Sequence, residues 1–152
     1  MATLISKSPE DTLALGEAWG REAQRGWVIG LSGDLGAGKT QLVKGLARGL
    51  DSTARVHSPT FALLNEYGGG RLTLFHLDLY RLNHPEDVFA AGLEEYLLDP
   101  EGVTVVEWIE RWRPEVQGPR SKVPGLKNIT RMVWLETVGE MERRITYEDS
   151  GA

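Results

Sequence analysis

The chain has 152 residues, of which 41% are hydrophobic, the size of one globular domain with a buried core. Its formal net charge is −5, so it lacks the surplus of Lys and Arg that binds nucleic acid directly. The absence of cysteine excludes disulfides, thiolate zinc sites and cysteine nucleophiles. No basic leader with an apolar core is visible, and no apolar run approaches the roughly 18 residues of a membrane span. We expect a soluble, cytoplasmic protein without a membrane association.

The first elements along the chain are a short strand, "TLIS", and a helix. Ser8 provides a hydroxyl cap, and the proline and two acids that follow are typical of a first helical turn. Leu15, Trp19 and Ala23 then recur at helical spacing. The pattern predicts an amphipathic helix that starts at Ser8.

A strand, a glycine-rich loop and a second helix come next. "WVIGLS" is a short apolar run that predicts a buried parallel strand. A helix is predicted from Lys39 to about Gly49, and its apolar face consists of Leu42, Val43, Leu46 and Leu50. Together they predict a βα unit.

Two strand-like runs, "TFALLNEY" and "RLTLFHLDLY", are separated by "GGG" and predict a hairpin or a pair of neighbouring strands. A helix is predicted over "NHPEDVFAAGLEEYLL", with Phe89, Leu93 and Leu97 at four-residue intervals. "VTVVEW" then predicts another buried strand.

Residues 113–128 contain three prolines and two glycines without a clear period, so we expect an irregular connection. "ITRMVWLETV" and "RRITYED" predict a C-terminal β-hairpin. The alternation of strands and helices indicates an α/β fold. We predict a single P-loop NTPase-like domain over residues 1–152, with a mixed, mostly parallel sheet flanked by helices.

The string "GDLGAGKT" matches the whole Walker A pattern, with Gly33, Gly38, Lys39 and Thr40 in place and an extra glycine at Gly36. Glycines allow several backbone N–H groups to point into one concavity, and the following helix adds its positive end. Lys39 would bind the outer phosphates, and Thr40 would place its hydroxyl on Mg²⁺. The alternative is a glycine-rich turn without a ligand.

Two acids follow apolar strands: Asp78 ends "LTLFHLD" and Glu107 ends "VTVVE". A nucleotide site needs a carboxylate for its metal, commonly at the end of a neighbouring strand. Either acid could instead be a solvated strand-end residue. Because both follow apolar runs in a chain with a Walker A loop, metal or water handling is favoured. Asp34, within the loop, is expected to shape the turn through local backbone contacts.

Other polar and aromatic residues are weaker signals. In "HSPT", Ser58 or Thr60 could reach the metal or the terminal phosphate, or the segment could be a plain turn. His76 either faces the site or packs against the sheet, and no second histidine at ligand spacing supports zinc. Trp108 and Trp112 are expected to bury apolar surface.

The motifs taken together narrow the class of protein. No Asn-Lys-x-Asp string for guanine is present, which favours ATP. "GDLGAGKT", "SPTFALLNEY", "HLDLYRL", "EDVFAAGLEEYL" and "VVEW", in this order, closely resemble the bacterial TsaE (YjeE) family over about residues 5–112. That resemblance implies the small ATPase of tRNA threonylcarbamoyladenosine biosynthesis. It further implies a slow ATPase that binds ATP or ADP with Mg²⁺, acts with TsaD and TsaB, and meets tRNA only through that complex.

The resemblance also assigns residues. Metal binding falls to Thr40, Asp78 and Glu107, and catalysis to Glu107, Asp78 and Lys39. Ser8 to Glu10 and either Arg143 or Arg144 are candidates for covering the nucleotide, whereas the irregular segment 113–128 departs from the family pattern. Nucleotide contacts are expected from Gly33, Asp34, Leu35, Gly36, Ala37, Gly38, Lys39, Thr40, Gln41, Ser58 and Thr60.

The resulting hypothesis is an Mg²⁺-dependent ATPase in which Glu107 positions or activates the attacking water. The nearest arginine to the motifs, Arg81, could act on the phosphates or merely pair with an acid, so we expect slow catalysis by the chain alone. Two other interpretations remain open at this point. One is a small-molecule kinase on the same scaffold, and the other is a nucleotide-gated binding module with incidental hydrolysis.

Overall fold

The computed structural model describes residues 2–33, 38–53, 56, 64–116 and 128–150. Within them, seven strands form one sheet. The strands are β1 (Ala2–Ser6), β2 (Val28–Gly33), β3 (Leu64–Tyr67), β4 (Leu74–Asp78), β5 (Val103–Glu107), β6 (Arg131–Thr137) and β7 (Arg143–Asp149). The α-helices are α1 (Pro9–Glu22), α2 (Lys39–Gly49), α3 (Glu86–Ala90) and α4 (Glu94–Leu97), and 3₁₀ turns occupy Ile109–Arg111 and Pro114–Val116. None of the described helices is long and apolar enough to cross a membrane.

The strand order is β1-β7-β6-β2-β5-β4-β3. The four central strands are mutually parallel, whereas β1, β7 and β3 run antiparallel to their neighbours. This confirms the mixed α/β sheet, the neighbouring pair β3/β4 and the C-terminal hairpin β6/β7. In the ladder, Leu31 of β2 pairs with Glu107, and Glu107 pairs in turn with Asp78. The carboxyl ends of β2, β4 and β5 therefore meet at one edge of the sheet.

Each face of the sheet is covered by its own apolar layer. The helices α1 and α2 cover one face, where Trp19 and Ala23 are buried together with the predicted α2 residues Leu42, Val43, Leu46 and Leu50. The short helices and the 3₁₀ turns cover the other face, through Val88, Leu97, Ile109 and Trp112. Adjacent residues of a strand point to opposite faces, so Ile29 packs on the first layer and Val28 on the second.

The helices α1 and α2 are in backbone contact. A Cβ atom on Gly16 would collide with the backbone of Gly45, and one on Gly20 with that of Gly49. The residue numbers of the contacting glycines increase in the same direction along both helices, so the helices are parallel and their N-termini lie at the same end. Ser8 caps α1 by accepting a hydrogen bond from the Asp11 amide at 3.1 Å, as predicted. The first turn of α1 is thereby placed beside the first turn of α2.

The segment after β4 differs from the prediction. Instead of one helix over residues 83–98, the chain forms the short helices α3 and α4, because Gly92 adopts a left-handed φ of 73° between them. Phe89, expected on the apolar face, is 53% exposed, and Val88 is buried in its place. Leu93 and Leu97 are buried as expected. The four-residue spacing was therefore right for two of its three members and wrong for Phe89.

A buried arginine ties the terminal hairpin to α1. Arg131 of β6 donates to both carboxylate oxygens of Asp149, at 2.6 and 2.9 Å, and to Glu22 at 3.1 Å. Its guanidinium also lies about 5 Å from the ring centroids of Trp19 and Tyr147. Burial by itself would lower the pKa of Arg131, but the two carboxylates raise it above its ordinary value. The charge stays paired within the protein, as a buried cation requires.

The glycine contact between α1 and α2 leads to a stability prediction. Replacing glycine by alanine inside a helix normally gains about 1 kcal/mol. At Gly45 the added methyl would meet the Leu13 carbonyl, so we expect Gly45→Ala to lower the free energy of unfolding by about 2 kcal/mol. That corresponds to a melting temperature lower by roughly 4–8 °C in thermal unfolding.

The matched control is Gly68→Ala, because a Cβ there meets nothing within 4 Å. We expect its melting temperature to stay within about 2 °C of the unmodified protein. Equal melting temperatures for the two variants would contradict the close helix contact.

Candidate functional site

A cavity of about 370 Å³ opens at the carboxyl ends of β2, β4 and β5. Open α/β sheets bind ligands at this edge, because the loops and helix N-termini that follow the strands converge there. The described residues that line it come from the start of α1, the start of α2, two strand ends and the terminal hairpin. They are Ser8, Pro9, Thr12, Gly38, Lys39, Thr40, Gln41, Asp78, Glu107, Trp108, Met141 and Arg143.

The start of α2 forms one wall. Gly38 immediately precedes the helix with a left-handed φ of 96°, a conformation that glycine adopts without strain. The first helical residues, Lys39, Thr40 and Gln41, line the cavity, so the unpaired N–H groups of the first turn lie beside it. Helix N-termini of this kind attract anions, phosphate in particular.

Lys39 is held inside the site and is only 5% exposed. Its ammonium donates a hydrogen bond to the Gly33 carbonyl at 2.8 Å and lies 4.5 Å from the centroid of the Trp108 ring. The first contact spans the loop from the end of β2 to the start of α2. The positive charge therefore stays at the cavity wall with two partners from the chain itself.

Two neighbouring carboxylates also line the cavity. Asp78 and Glu107 are ladder partners at the ends of β4 and β5, and Glu107 is 6% exposed. Burial raises the pKa of Asp78 above its ordinary value, and the neighbouring Glu107 carboxylate adds to the rise. The Tyr80 amide, which donates to Asp78 at 3.0 Å, and the positive charge of Lys39 act in the opposite direction. A pair of adjacent carboxylates of this kind favours a cation.

His76 connects to the site from the sheet interior. Its side chain is 0% exposed, and Nε2 lies 2.6 Å from Oε2 of Glu107. On the other side of the ring, Nδ1 lies 3.2 Å from the Tyr67 hydroxyl. Of the two placements left open by the sequence, His76 therefore packs within the sheet and also contacts a cavity residue.

The donor set fits a magnesium nucleotide better than a metal ion alone. Across the described ranges, no group of three or more His, Cys, Asp or Glu side chains is arranged to hold a metal. Mg²⁺ in nucleotide sites is typically bound by one or two carboxylates, with phosphate oxygens and waters completing its shell. Asp78, Glu107 and the Thr40 hydroxyl provide such a partial set beside the helix N-terminus. A volume of about 370 Å³ also lies in the range of small-molecule sites.

Some predicted residues do not reach the cavity or cannot be placed. Arg144 pairs with Glu136 at 2.9 Å on the surface, whereas Arg143 lines the cavity. Arg81 and Glu10 are exposed and do not belong to the described wall. Gly33, another expected nucleotide contact, is not among the residues that line the cavity, and its carbonyl accepts the hydrogen bond from Lys39. The other expected nucleotide contacts lie outside the described residues and stay predictions: Asp34, Leu35, Gly36, Ala37, Ser58 and Thr60.

The structure also adds residues that the sequence did not assign to the site. Trp112 is 8% exposed, as expected, but Trp108 is only half-buried and lies on the cavity wall. Its backbone adopts a left-handed φ of 58°, which is rare for a bulky residue and turns the chain directly after Glu107. Thr12 lies one turn after Ser8 on the same helix face, a spacing that could have identified it.

Comparison with known proteins decides the family. A family model described as "Threonylcarbamoyl adenosine biosynthesis protein TsaE" matches residues 6–133. The chain belongs to the TsaE family. That family is involved in tRNA threonylcarbamoyladenosine biosynthesis. The match continues past residue 112 into β6, further than the motifs alone indicate.

Individual TsaE relatives are similar in sequence to most of the chain. The tRNA threonylcarbamoyladenosine biosynthesis protein TsaE of a Nostoc species is 48% identical over 114 residues, covering 73% of this chain and 70% of its own. The Bacillus subtilis protein of the same name is 39% identical over 145 residues, covering 95% of this chain and 83% of its own. A crystal structure of Bacillus subtilis YdiB superposes with a TM-score of 0.72 at 32% identity, covering 99% of this chain and 86% of that one. The fold and the family are thus shown together.

The raised pKa of Asp78 leads to a pH-dependent stability prediction for this TsaE-family chain. The pKa of Asp78 is higher in the folded than in the unfolded state. The free energy of unfolding therefore falls as the pH rises from the unfolded-state pKa to the folded-state pKa. Asp78→Asn removes this loss, and the amide oxygen still accepts from Tyr80. We expect the nucleotide-free variant to melt roughly 1–3 °C higher at pH 7. The difference should disappear as the pH falls below the ordinary pKa of 3.8, because the carboxyl group is then protonated in both the folded and the unfolded state.

Asp51→Asn is the control, since Asp51 is exposed and its left-handed φ of 63° also suits asparagine. It should show no pH-dependent gain. A melting temperature of Asp78→Asn below that of the unmodified protein at pH 7 would contradict the assigned cost of the charge.

Proposed function

We propose that this chain binds ATP with Mg²⁺, hydrolyses it slowly, and supplies energy to the complex that forms threonylcarbamoyladenosine in tRNA. The observation that supports this most directly is one cavity that joins the start of α2, with Lys39, to the paired carboxylates Asp78 and Glu107. Phosphoryl transfer to water needs little more than such positioning and charge stabilisation. Family membership supports the tRNA pathway.

Each group has a distinct task in this proposal. The N-terminal amides of α2 and the ammonium of Lys39 hold the outer phosphates, because both present positive charge at the same wall. Thr40 and Asp78 hold Mg²⁺, which when bound neutralises charge on the phosphates. Glu107, the more deeply buried acid, orients the attacking water and accepts its proton on a carboxylate oxygen. These residues bind and orient without forming a covalent intermediate.

Partner dependence is part of the same proposal. Arg143 is the single arginine on the described cavity wall, and its guanidinium donates to the Gly139 and Glu142 carbonyls at 3.1 and 2.9 Å. A fast ATPase commonly uses an arginine on the transferred phosphate. We propose that turnover rises when homologues of TsaD and TsaB bind. The net charge of −5 supports contact with tRNA only through that complex, which we propose to act in the cytoplasm.

Nucleotide binding is tested with Lys39→Ala. Removing the ammonium leaves the outer phosphates without their nearest side-chain cation, so we expect the dissociation constant for Mg·ATP to rise at least about 10-fold. Equilibrium titration with a fluorescent ATP analogue measures it. Lys44→Ala, on the same helix but away from the cavity wall, should stay within about twofold. Equal affinities for both variants would contradict the site.

The use of hydrolysis is tested with Glu107→Gln in reconstituted threonylcarbamoyladenosine formation. We expect this variant to bind ATP within about threefold of the unmodified chain and to lose hydrolysis about 100-fold or more. It should therefore fail to support repeated rounds of tRNA modification. Glu101→Gln, in an exposed position two residues before the start of the same strand, should support them fully.

Two results would contradict the proposal in different ways. Full multiple turnover with hydrolysis-deficient Glu107→Gln would indicate a nucleotide-gated binding module. Transfer of the γ-phosphate to a metabolite instead of water would indicate a kinase.

A further inference from the structure

His76 is a fully buried polar residue at the centre of β4, next to the edge strand β3, and the tasks assigned above leave it without a role. It lies on β4 between Asn65 of β3 and Val105 of β5 in the ladder. Leu74, two residues before it on the same sheet face, is completely buried in the apolar layer beneath α1 and α2. An apolar residue would suit such a position at a lower desolvation cost, so the imidazole needs specific partners.

The two ring nitrogens have those partners. With the proton on Nε2, that nitrogen donates to Oε2 of Glu107 at 2.6 Å, and Nδ1 accepts from the Tyr67 hydroxyl at 3.2 Å. This arrangement satisfies both nitrogens in one neutral tautomer. The Tyr67 ring also packs at 5.9 Å from the imidazole, so the ring plane is restricted as well as its hydrogen bonds. Tyr67, His76 and Glu107 thus form a chain that crosses three adjacent strands.

We propose that His76 is a positioning residue for Glu107, anchored by Tyr67. A carboxylate that gives one oxygen to His76 has one oxygen left for a ligand in the cavity, and it cannot rotate freely about its last bond. Glu107 then presents a single, oriented acceptor to water instead of a mobile pair. The inference rests on the proposed ATPase function, since it assigns a means of orienting the acid used there.

Three substitutions separate positioning from packing. His76→Leu fills the space without a donor, whereas the side-chain amide of His76→Gln reaches about as far as Nε2 and donates again. Tyr67→Phe removes only the hydroxyl that holds Nδ1. Thr104→Val is the control for disturbing β5, because Thr104 is equally buried and its hydroxyl bonds the Tyr96 carbonyl at 2.6 Å, away from Glu107.

Steady-state ATPase kinetics and nucleotide titration without Mg²⁺ are the first readouts. For His76→Leu we expect kcat to fall about 10–100-fold, the range seen when groups that orient a ligand are removed. KM and the Mg²⁺-free affinity for ATP should stay within about threefold, since phosphate contacts are untouched. His76→Gln should recover at least about half of the loss on a logarithmic scale, and Tyr67→Phe should give a smaller fall in kcat.

The contact is also measured without nucleotide, by thermal unfolding of His76→Leu, Glu107→Met and the double variant. We expect the double variant to lose less melting temperature than the two single losses added, because each single change leaves a buried polar partner unsatisfied. If His76→Leu fails to fold, the kinetic test is made with His76→Gln and Tyr67→Phe instead.

The outcomes separate the two proposals. If the unmodified chain neither binds nor hydrolyses ATP, the proposed function fails, and a positioning role towards hydrolysis fails with it whatever the unfolding data show. If the unmodified chain hydrolyses ATP but His76→Leu keeps its kcat, or His76→Gln is as impaired as His76→Leu, the positioning role fails alone. Additive losses of melting temperature would likewise overturn it.

Discussion

The parallel ladder between β4 and β5 pairs Asp78 with Glu107. On its other side β5 pairs with β2, the strand that precedes α2 in the chain. Because side chains alternate between faces, a slip by one residue would turn both carboxylates into the opposite apolar layer and bring Leu77 and Val106 into the cavity. Both faces of these strands are buried, so the apolar layers themselves penalise that slip. The chemistry of the site is thus fixed by core packing several residues away from it.

The backbone contact between α1 and α2 fixes the position of another part of the cavity wall, the start of α1. Gly16 and Gly45 allow the two helices to approach without side chains between them, so the start of α1 has a defined position relative to Lys39. Ser6 and Thr12 add a hydrogen bond of 2.7 Å between the end of β1 and that first turn. A side chain in the glycine contact would move a wall of the site as well as cost stability.

Much of this arrangement follows from local sequence signals. The glycine loop, the cap at Ser8 and the acids that end two apolar strands depend on neighbours in the sequence, and parallel strands necessarily bring Asp78 and Glu107 to one edge. The partners of His76 depend on which strands become adjacent, information that no single run of residues carries. Trp108 was assigned to the core because aromatic residues at helical spacing usually pack there, whereas a left-handed turn places it at the cavity. The break at Gly92 likewise interrupts a spacing that a helix would have continued.

In the proposed ATPase, the resting position of Lys39 would affect how long a nucleotide stays bound. Its ammonium already has the Gly33 carbonyl and the face of Trp108 as partners, so a phosphate gains only the difference between the new contacts and those given up. A cation–π contact stabilises the nucleotide-free state by about 1 kcal/mol. Giving it up on binding would correspond to a roughly fivefold shorter residence time of the nucleotide, if the association rate is unchanged. On the proposed function, the Gly33 carbonyl and the Trp108 ring would compete with the phosphates for Lys39, and this competition would favour release of the spent nucleotide.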